Sequence, residues 1–126
     1  MTTFDLKSNA DVAQSLVPAT RNTDTNGSGV DLRGYEAAMV VFDTGAITDG
    51  THTPSLEESD DDSTYTTVAA ADLQGAFANL SANSVQRVGY SGGNRYIRAQ
   101  CDSSGTTGAA YSATIVRGRP HAAPLA

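Results

Sequence analysis

The sequence predicts an all-β domain, an antiparallel β-sandwich of jelly-roll or immunoglobulin-like type. Short apolar or alternating stretches recur along the 126 residues, and turn-forming residues separate them. Residues 95–102 alternate strictly, with Ile97, Ala99 and Cys101 predicted to face inward. Trp is absent and only 17% of residues are charged. That composition does not suit a helical bundle, which is normally rich in Leu, Glu, Lys and Arg.

The densest apolar run, residues 37–42, predicts the central strand. Its two valines and its phenylalanine favour extended structure, and six apolar residues in a row suit a strand that is covered on both faces. Gly34 and Gly45 lie on either side of the run, which is too short for a typical helix. We expect every other strand to have one face in water.

The other elements follow from alternation and from turn chemistry. Pro18 confines the first strand to a sheet edge, or ends it, because proline cannot donate a ladder hydrogen bond. Residues 69–75 contain the one helix candidate, with a short helix expected near 70–74, and Phe77 and Leu80 are expected to plug one end of the core. Strands are predicted at 12–19, 30–33, 84–90, 95–102 and 109–117, and a β-hairpin at 53–68.

One domain over residues 1–126 is expected, with extended N- and C-terminal arms at about 1–11 and 118–126. Both ends lack the periodicity of a helix or strand, so we expect them to be assembly contacts. The first residues resemble no signal peptide, and no apolar run reaches membrane-spanning length. Synthesis in a cytoplasm and no membrane association are therefore expected.

Charge and cysteine content exclude several classes of function. The net charge of −6 argues against nucleic-acid binding, which requires clustered Lys and Arg. Cys101 is the only cysteine, so no intrachain disulfide can form. Its inward position in an alternating strand predicts a buried small hydrophobe rather than a reactive thiol.

The sharpest local feature is a carboxylate cluster. Several oxygen ligands could hold Ca²⁺, but the EF-hand spacing is missing, and a solvated hairpin turn is favoured. The two histidines are far apart in sequence, lack ligands at metal spacing and are expected at the surface. No G-x-S-x-G or other catalytic pattern is present, so we expect no enzyme, no cofactor and no metal. The cluster is Glu57, Glu58, Asp60, Asp61 and Asp62; the histidines are His52 and His121.

Most of the positive charge lies in the last third of the chain. Two interpretations stay open: cross-strand pairing with carboxylates of the same domain, or a basic surface that contacts the acidic surface of a neighbour. The residues concerned are Arg87, Arg95, Arg98, Arg117 and Arg119.

Several of these motifs, in this order, resemble a small virion protein of tailed bacteriophages. The similarity starts at Gly34-Tyr35 and includes a Leu-Glu-x-Ser-Asp-Asp hairpin at 56–61, followed by Thr64 and Tyr65. A Val-Ala-x-Ala-Asp-Leu segment comes next at 68–73. It continues at 87–90 and 94–98 and closes at 116–124, so the resemblance covers roughly 30–124.

This resemblance implies a capsid decoration (cement) protein or a related head structural protein, and it brings no catalytic residues. The expected partner is the phage major capsid protein on the virion surface, with self-association as a dimer or trimer. A head–tail connector or tail component is the alternative, and a carbohydrate-binding β-sandwich is a further one. The candidate assembly contacts are Phe4, Leu6, Glu57, Asp60, Asp61, Asp62, Arg117, Arg119 and His121.

If the acidic turn functions without a metal, EDTA will leave the melting temperature unchanged, because a bound ion stabilises the folded state by mass action. Thermal unfolding with and without the chelator measures this. A large drop in melting temperature with EDTA would support a calcium site instead.

Overall fold

The computed structural model of the chain describes residues 5–121, and all of its long elements in that range are strands. Two single 3-10 turns, Lys7–Asn9 and Ala70–Asp72, complete the regular structure. The strands are β1 (Ala10–Arg21), β2 (Thr25–Asn26), β3 (Val30–Asp31), β4 (Tyr35–Ile47), β5 (His52–Ser59), β6 (Thr66–Thr67), β7 (Leu73–Gln74), β8 (Ser84–Tyr90), β9 (Tyr96–Ser103) and β10 (Ala109–Pro120).

The strands form two antiparallel sheets that pack as a β-sandwich, which confirms the predicted fold class. Sheet A has the order β1-β10-β4-β8-β7, and sheet B has the order β2-β9-β5-β6, with β3 also paired to β9. The pairs are nested: the first strand pairs with the last, β2 and β3 with β9, β4 with β8, and β5 with β6. This wrapped-hairpin order is that of a jelly roll. In an immunoglobulin-type sandwich the first two strands are neighbours in one sheet, whereas here β1 and β2 lie in different sheets.

β4 is the middle strand of sheet A, as the apolar run 37–42 predicts, but it is not covered on both faces. Val40 and Phe42 are fully buried between the sheets, whereas Ala37 is exposed and Val41 is only partly buried. The reason is that a two-layer sandwich gives each sheet a single inner face. Half of the apolar run therefore lies on the outside of the domain.

The predicted small elements are found with modest changes. β1 is an edge strand that contains Pro18, and its pairing with β10 is interrupted by two register shifts. β5 and β6 form the predicted hairpin, in which Glu58 opposes Thr66. The predicted helix is the 3-10 turn Ala70–Asp72. The sequence gave no sign of β2, which has only two residues and lies within a polar loop.

The arms are shorter than predicted, because strand pairing extends into both. Ala10 opposes Gly118, and Pro120 opposes Tyr35. The backbone N–H of His121 donates to Gly34 O at 2.8 Å. Backbone pairing needs no apolar alternation, so the sequence pattern could not show it. Residues 1–4, including the candidate contact Phe4, and residues 122–126 lie outside the described part of the chain.

The core is built from small side chains around one aromatic pair. Phe42 meets Phe77 edge-on, with ring centroids 5.9 Å apart, and Leu80 closes the same region, as predicted. Cys101 is fully buried, which confirms its inward orientation. Its pKa is raised, chiefly by burial, so the thiol form is favoured. The remaining buried hydrophobic residues are Leu16, Val30, Val40, Leu56, Val68, Val88, Tyr90, Ile97, Ala99, Ala109, Tyr111, Ala113 and Ile115.

His52 was expected at the surface but is buried, with 1% of its surface exposed. It opens β5, where its ring lies 6.0 Å from that of Tyr111, and its Nε2 is 3.0 Å from Asp49 O. The imidazole fills space between the sheets that the small residues around it leave. A single histidine in sequence therefore did not reveal its packing role.

Ser15 ties the edge strand of sheet A to sheet B. Its Oγ donates to Ser28 O and accepts from the N–H of Ala99, both at 2.8 Å. Gly27 donates its N–H to Ala99 O at 2.7 Å. A Cβ at Gly27 would lie 2.7 Å from Ser15 O and 2.8 Å from Ala99 O, so only glycine allows this close approach.

Phe42→Ala is expected to lower the free energy of unfolding by about 3–5 kcal/mol, because it removes a buried ring and leaves a cavity. Chemical denaturation of both proteins measures the difference. Val85→Ala is the matched control: Val85 is 65% exposed, and its truncation should change stability by no more than about 0.5 kcal/mol. Equal effects of the two substitutions would contradict the assigned inner and outer faces.

Candidate functional site: the outer face of sheet A

The outer face of sheet A presents apolar side chains to solvent. Residues that oppose one another in neighbouring strands point to the same side of a sheet. One such row runs from Val12 through Val116 and Met39 to Gly89. None of these side chains reaches the core, which lies on the opposite face. The row therefore forms an apolar band across four strands.

The part of this face beyond that band is open and nearly flat. Val12 and Val85 are 64% and 65% exposed, and Val41 is partly buried. Thr114 and Arg87 flank Val41 in the neighbouring strands. We call Val12, Val41, Val85 and Thr114 the open part of the outer face. Its exposed valines are unusual on a surface otherwise dominated by Ser, Thr, Asn and Asp.

The other part of the outer face is a groove of about 990 Å³. Ala37, Met39 and Val116 contribute to its floor, Leu6 lies on the rim next to β1, and Gln74 lies on the rim formed by β7 and β8. Leu6 is 74% exposed although it borders an apolar depression. We refer to this depression as the outer groove.

Two glycines explain the shape of the outer groove. A Cβ added at Gly118 would meet no atom within 4 Å, so the space above the floor is empty at that position. A Cβ at Gly89 would lie 2.5 Å from Gln74 Oε1, so the Gln74 side chain lies over this glycine and forms a wall. Small residues in the floor and a bulky side chain at the rim together produce the concave surface.

The acidic turn is organised by its own hydrogen bonds. Asp61 Oδ1 accepts from the N–H groups of Ser63 and Thr64 at 2.9 and 3.0 Å and from Ser59 Oγ at 2.8 Å. The backbone bond from Thr64 is the largest contribution that lowers the pKa of Asp61. Within residues 5–121, no group of three or more His, Cys, Asp or Glu side chains is placed to hold a metal ion.

Three arginines pair within the domain, which decides their case in favour of cross-strand pairing. Arg95 contacts Asp31 and Arg98 contacts Glu57, each at 2.7 Å. Arg117 pairs with Asp11 and also donates to Asp31 O. A list of the residues that form no salt bridge within the described chain contains Arg87 and Arg119, and both line the outer groove.

The structure brings together only some of the predicted contact residues. Leu6 and Arg119 meet at the outer groove, and His121 follows nearby, with its Nε2 3.7 Å from Glu36 Oε1. The acidic turn belongs to the β5–β6 hairpin of sheet B, so it does not share this face. Asp60 is exposed there, and Asp62 accepts a hydrogen bond from Tyr65.

Sequence reasoning missed the apolar residues of the outer face. Val12, Met39, Val85 and Val116 were all attributed to strands without a functional role. The available signal was the run 37–42, because three of its six residues must face outward in a sandwich. Only the assumption of a strand covered on both faces concealed it.

Comparison with known proteins adds no identification. No protein-family model matches the chain, and no curated protein or solved structure is significantly similar to it. Within the described residues, no helix is long and apolar enough to cross a membrane.

Asp31→Asn is expected to lower stability at neutral pH, with a difference from wild type that narrows as the pH falls from about 4 to about 2. The hydrogen bonds from Arg95 lower the pKa of Asp31 from 3.8 to about 2. A carboxylate with a lowered pKa stabilises the fold above its unfolded pKa and loses that effect as it is protonated. Both partners are more than one-third exposed, so the effect should be below about 1 kcal/mol.

Denaturation at several pH values measures this difference. Asp43→Asn is the control, because it removes the same charge from the exposed outer face without removing an ion pair of the described structure. A stability difference for Asp31→Asn that does not change across the acid range would contradict the role of its ion pair with Arg95.

Proposed function

We propose that this protein is a capsid decoration protein that binds the outside of an assembled phage head and stabilises it. The observation that carries the proposal is the open part of the outer face of sheet A, where Val12 and Val85 are each about two-thirds exposed. Contiguous exposed apolar surface on a soluble domain marks a protein contact more often than a catalytic site. The sequence resemblance over 30–124 supplies the class of partner, the major capsid protein.

The geometry of the outer face suits contact with a large assembled surface. A sheet of long strands such as β4 and β10 offers a broad, rigid and nearly flat area, whereas a small ligand needs an enclosed pocket. A standard protein interface buries roughly 1,600 Å² in total. Many copies on a closed shell add their weak contacts, so the stabilisation of the shell exceeds that of any one interface.

The jelly roll is compatible with this function without deciding it. Viral capsid proteins and lectins both use the fold, and one fold supports many functions. The lectin alternative requires exposed aromatic faces on which a sugar ring can stack. Tyr90 and Tyr111 are buried, and the other tyrosines each carry an arginine guanidinium over the ring: Arg117 over Tyr35, Arg98 over Tyr65 and Arg95 over Tyr96.

A connector or tail component remains the structural alternative, since it would also need an apolar contact face. The two roles differ in copy number and position: a connector forms one ring at one vertex, whereas a decoration protein covers the shell. A decoration site that spans several capsid subunits exists only on the assembled lattice. Preference for the lattice over free subunits therefore distinguishes decoration from simple affinity for the capsid protein.

The test mixes purified protein with undecorated expanded heads and, separately, with free capsid protein, and then measures binding and heat-induced release of DNA. We expect binding to heads in many copies and a higher temperature of DNA release. Equal binding to free subunits, or an unchanged release temperature, would contradict the decoration role. A copy number equal to that of one ring would assign the protein to a connector.

A matched pair of variants tests the surface itself. The double substitution Val12→Asp/Val85→Asp should weaken head binding by at least about tenfold, because two apolar contacts are replaced by charges that must be desolvated. Thr66→Asp, at an exposed position of β6 on sheet B, introduces a charge on the other side of the sandwich and should leave binding unchanged. Thermal unfolding confirms that all three proteins fold.

A further inference from the structure

The N-terminal end of the described chain lies on the rim of the outer groove and is held there. Asp5 Oδ1 accepts from the Ser8 N–H at 3.1 Å, and Asn9 Nδ2 donates to Asp5 O at 2.7 Å. Leu6 and Asn9 line the outer groove. The four residues that precede Asp5 therefore start from a fixed point beside an apolar depression.

We propose that residues 1–4 dock in the outer groove of their own chain, with the Phe4 side chain over Met39 and Val116. This inference does not depend on the proposed function, because it concerns the free protein. The groove floor supplies apolar surface, and Phe4 together with Met1 are the apolar side chains of the segment. Burial of a phenylalanine side chain is worth about 1.5–3 kcal/mol, which opposes the entropy lost by ordering a short segment.

The length of the segment matches the width of the groove. Four extended residues span at most about 13–14 Å. The floor runs from β10 across β4 to β8, which is two strand spacings or roughly 10 Å. The segment therefore reaches the Gln74 rim from its anchor at Asp5, and it is too short to cover Val85 as well. Its docking leaves the open part of the outer face exposed.

The C-terminal residues 122–126 are the competing occupant, and the direction of the chain disfavours them. The His121 N–H bonds to Gly34 O, which continues the β10–β4 pairing beyond Pro120 and away from the groove floor. Residues after His121 would have to reverse direction to enter. The N-terminal segment needs no reversal, since Leu6 already borders the groove.

Because the chain contains no tryptophan, Phe4→Trp places a single fluorescent reporter on the segment. We expect its emission to be blue-shifted relative to the unfolded protein and to be protected from acrylamide quenching. Met39→Lys, in the floor, should abolish both effects, and Val85→Lys, on the open part of the same face, should preserve both. Ala37→Arg is a second floor variant at an exposed position, for use if Met39→Lys fails to fold.

Two further measurements identify the occupant. The blue shift should not change on dilution of the protein, and deletion of 122–126 should not affect it. Emission equal to that of the unfolded chain overturns the proposal. A shift that disappears on dilution assigns the segment to the groove of a second copy, and a shift that survives both floor variants places Phe4 elsewhere; each of these results also overturns it.

Discussion

The position of β10 between β1 and β4 is the constraint on which the rest of the structure depends. The last strand of the chain pairs with the first along nearly its whole length and with the central strand on its other side. Sheet A is therefore complete only when both ends of the chain are in place. The same pairing brings both chain ends to the outer groove, beside Leu6 and Arg119. Folding of such a sheet rests on contacts between residues far apart in sequence, which makes it slow compared with a helical domain of equal size.

The scarcity of large side chains sets the second constraint. A core of Ala, Val, Ile and Leu around Phe42 can be filled only if the two sheets approach closely and evenly. The Ser15 hydroxyl and the Gly27 backbone produce this approach at the β1 edge, where a side chain at Gly27 would separate the sheets. Buried hydrogen bonds of this kind stabilise the fold by fixing its geometry, because removing one partner leaves the other unsatisfied between the sheets.

Local patterns in the sequence predicted the sandwich, the central strand, the β5–β6 hairpin and the inward Cys101, because alternation and turn chemistry act over a few residues. They did not distinguish the jelly roll from the immunoglobulin arrangement, since the pairing of β1 with β10 depends on residues about a hundred positions apart. The pairing of Arg117 with Asp11 was unresolved for the same reason. The outer groove was missed because its shape arises from Gly118 and Gly89 on neighbouring parts of the sheet, and glycines in strands carry no apolar signal.

The charge distribution gives the apolar outer face a defined role in the molecule. Arg95, Arg98 and Arg117 are consumed by carboxylates of the same domain, so the net charge of −6 resides mainly on unpaired acids. Like net charge keeps copies of the protein apart in solution. At the outer face the pattern changes: Arg87 and Arg119 lie beside the apolar residues without a salt bridge in the described chain. A partner with apolar contacts ringed by carboxylates would therefore match this face and no other part of the described surface so well, which directs association toward that partner rather than toward a second copy.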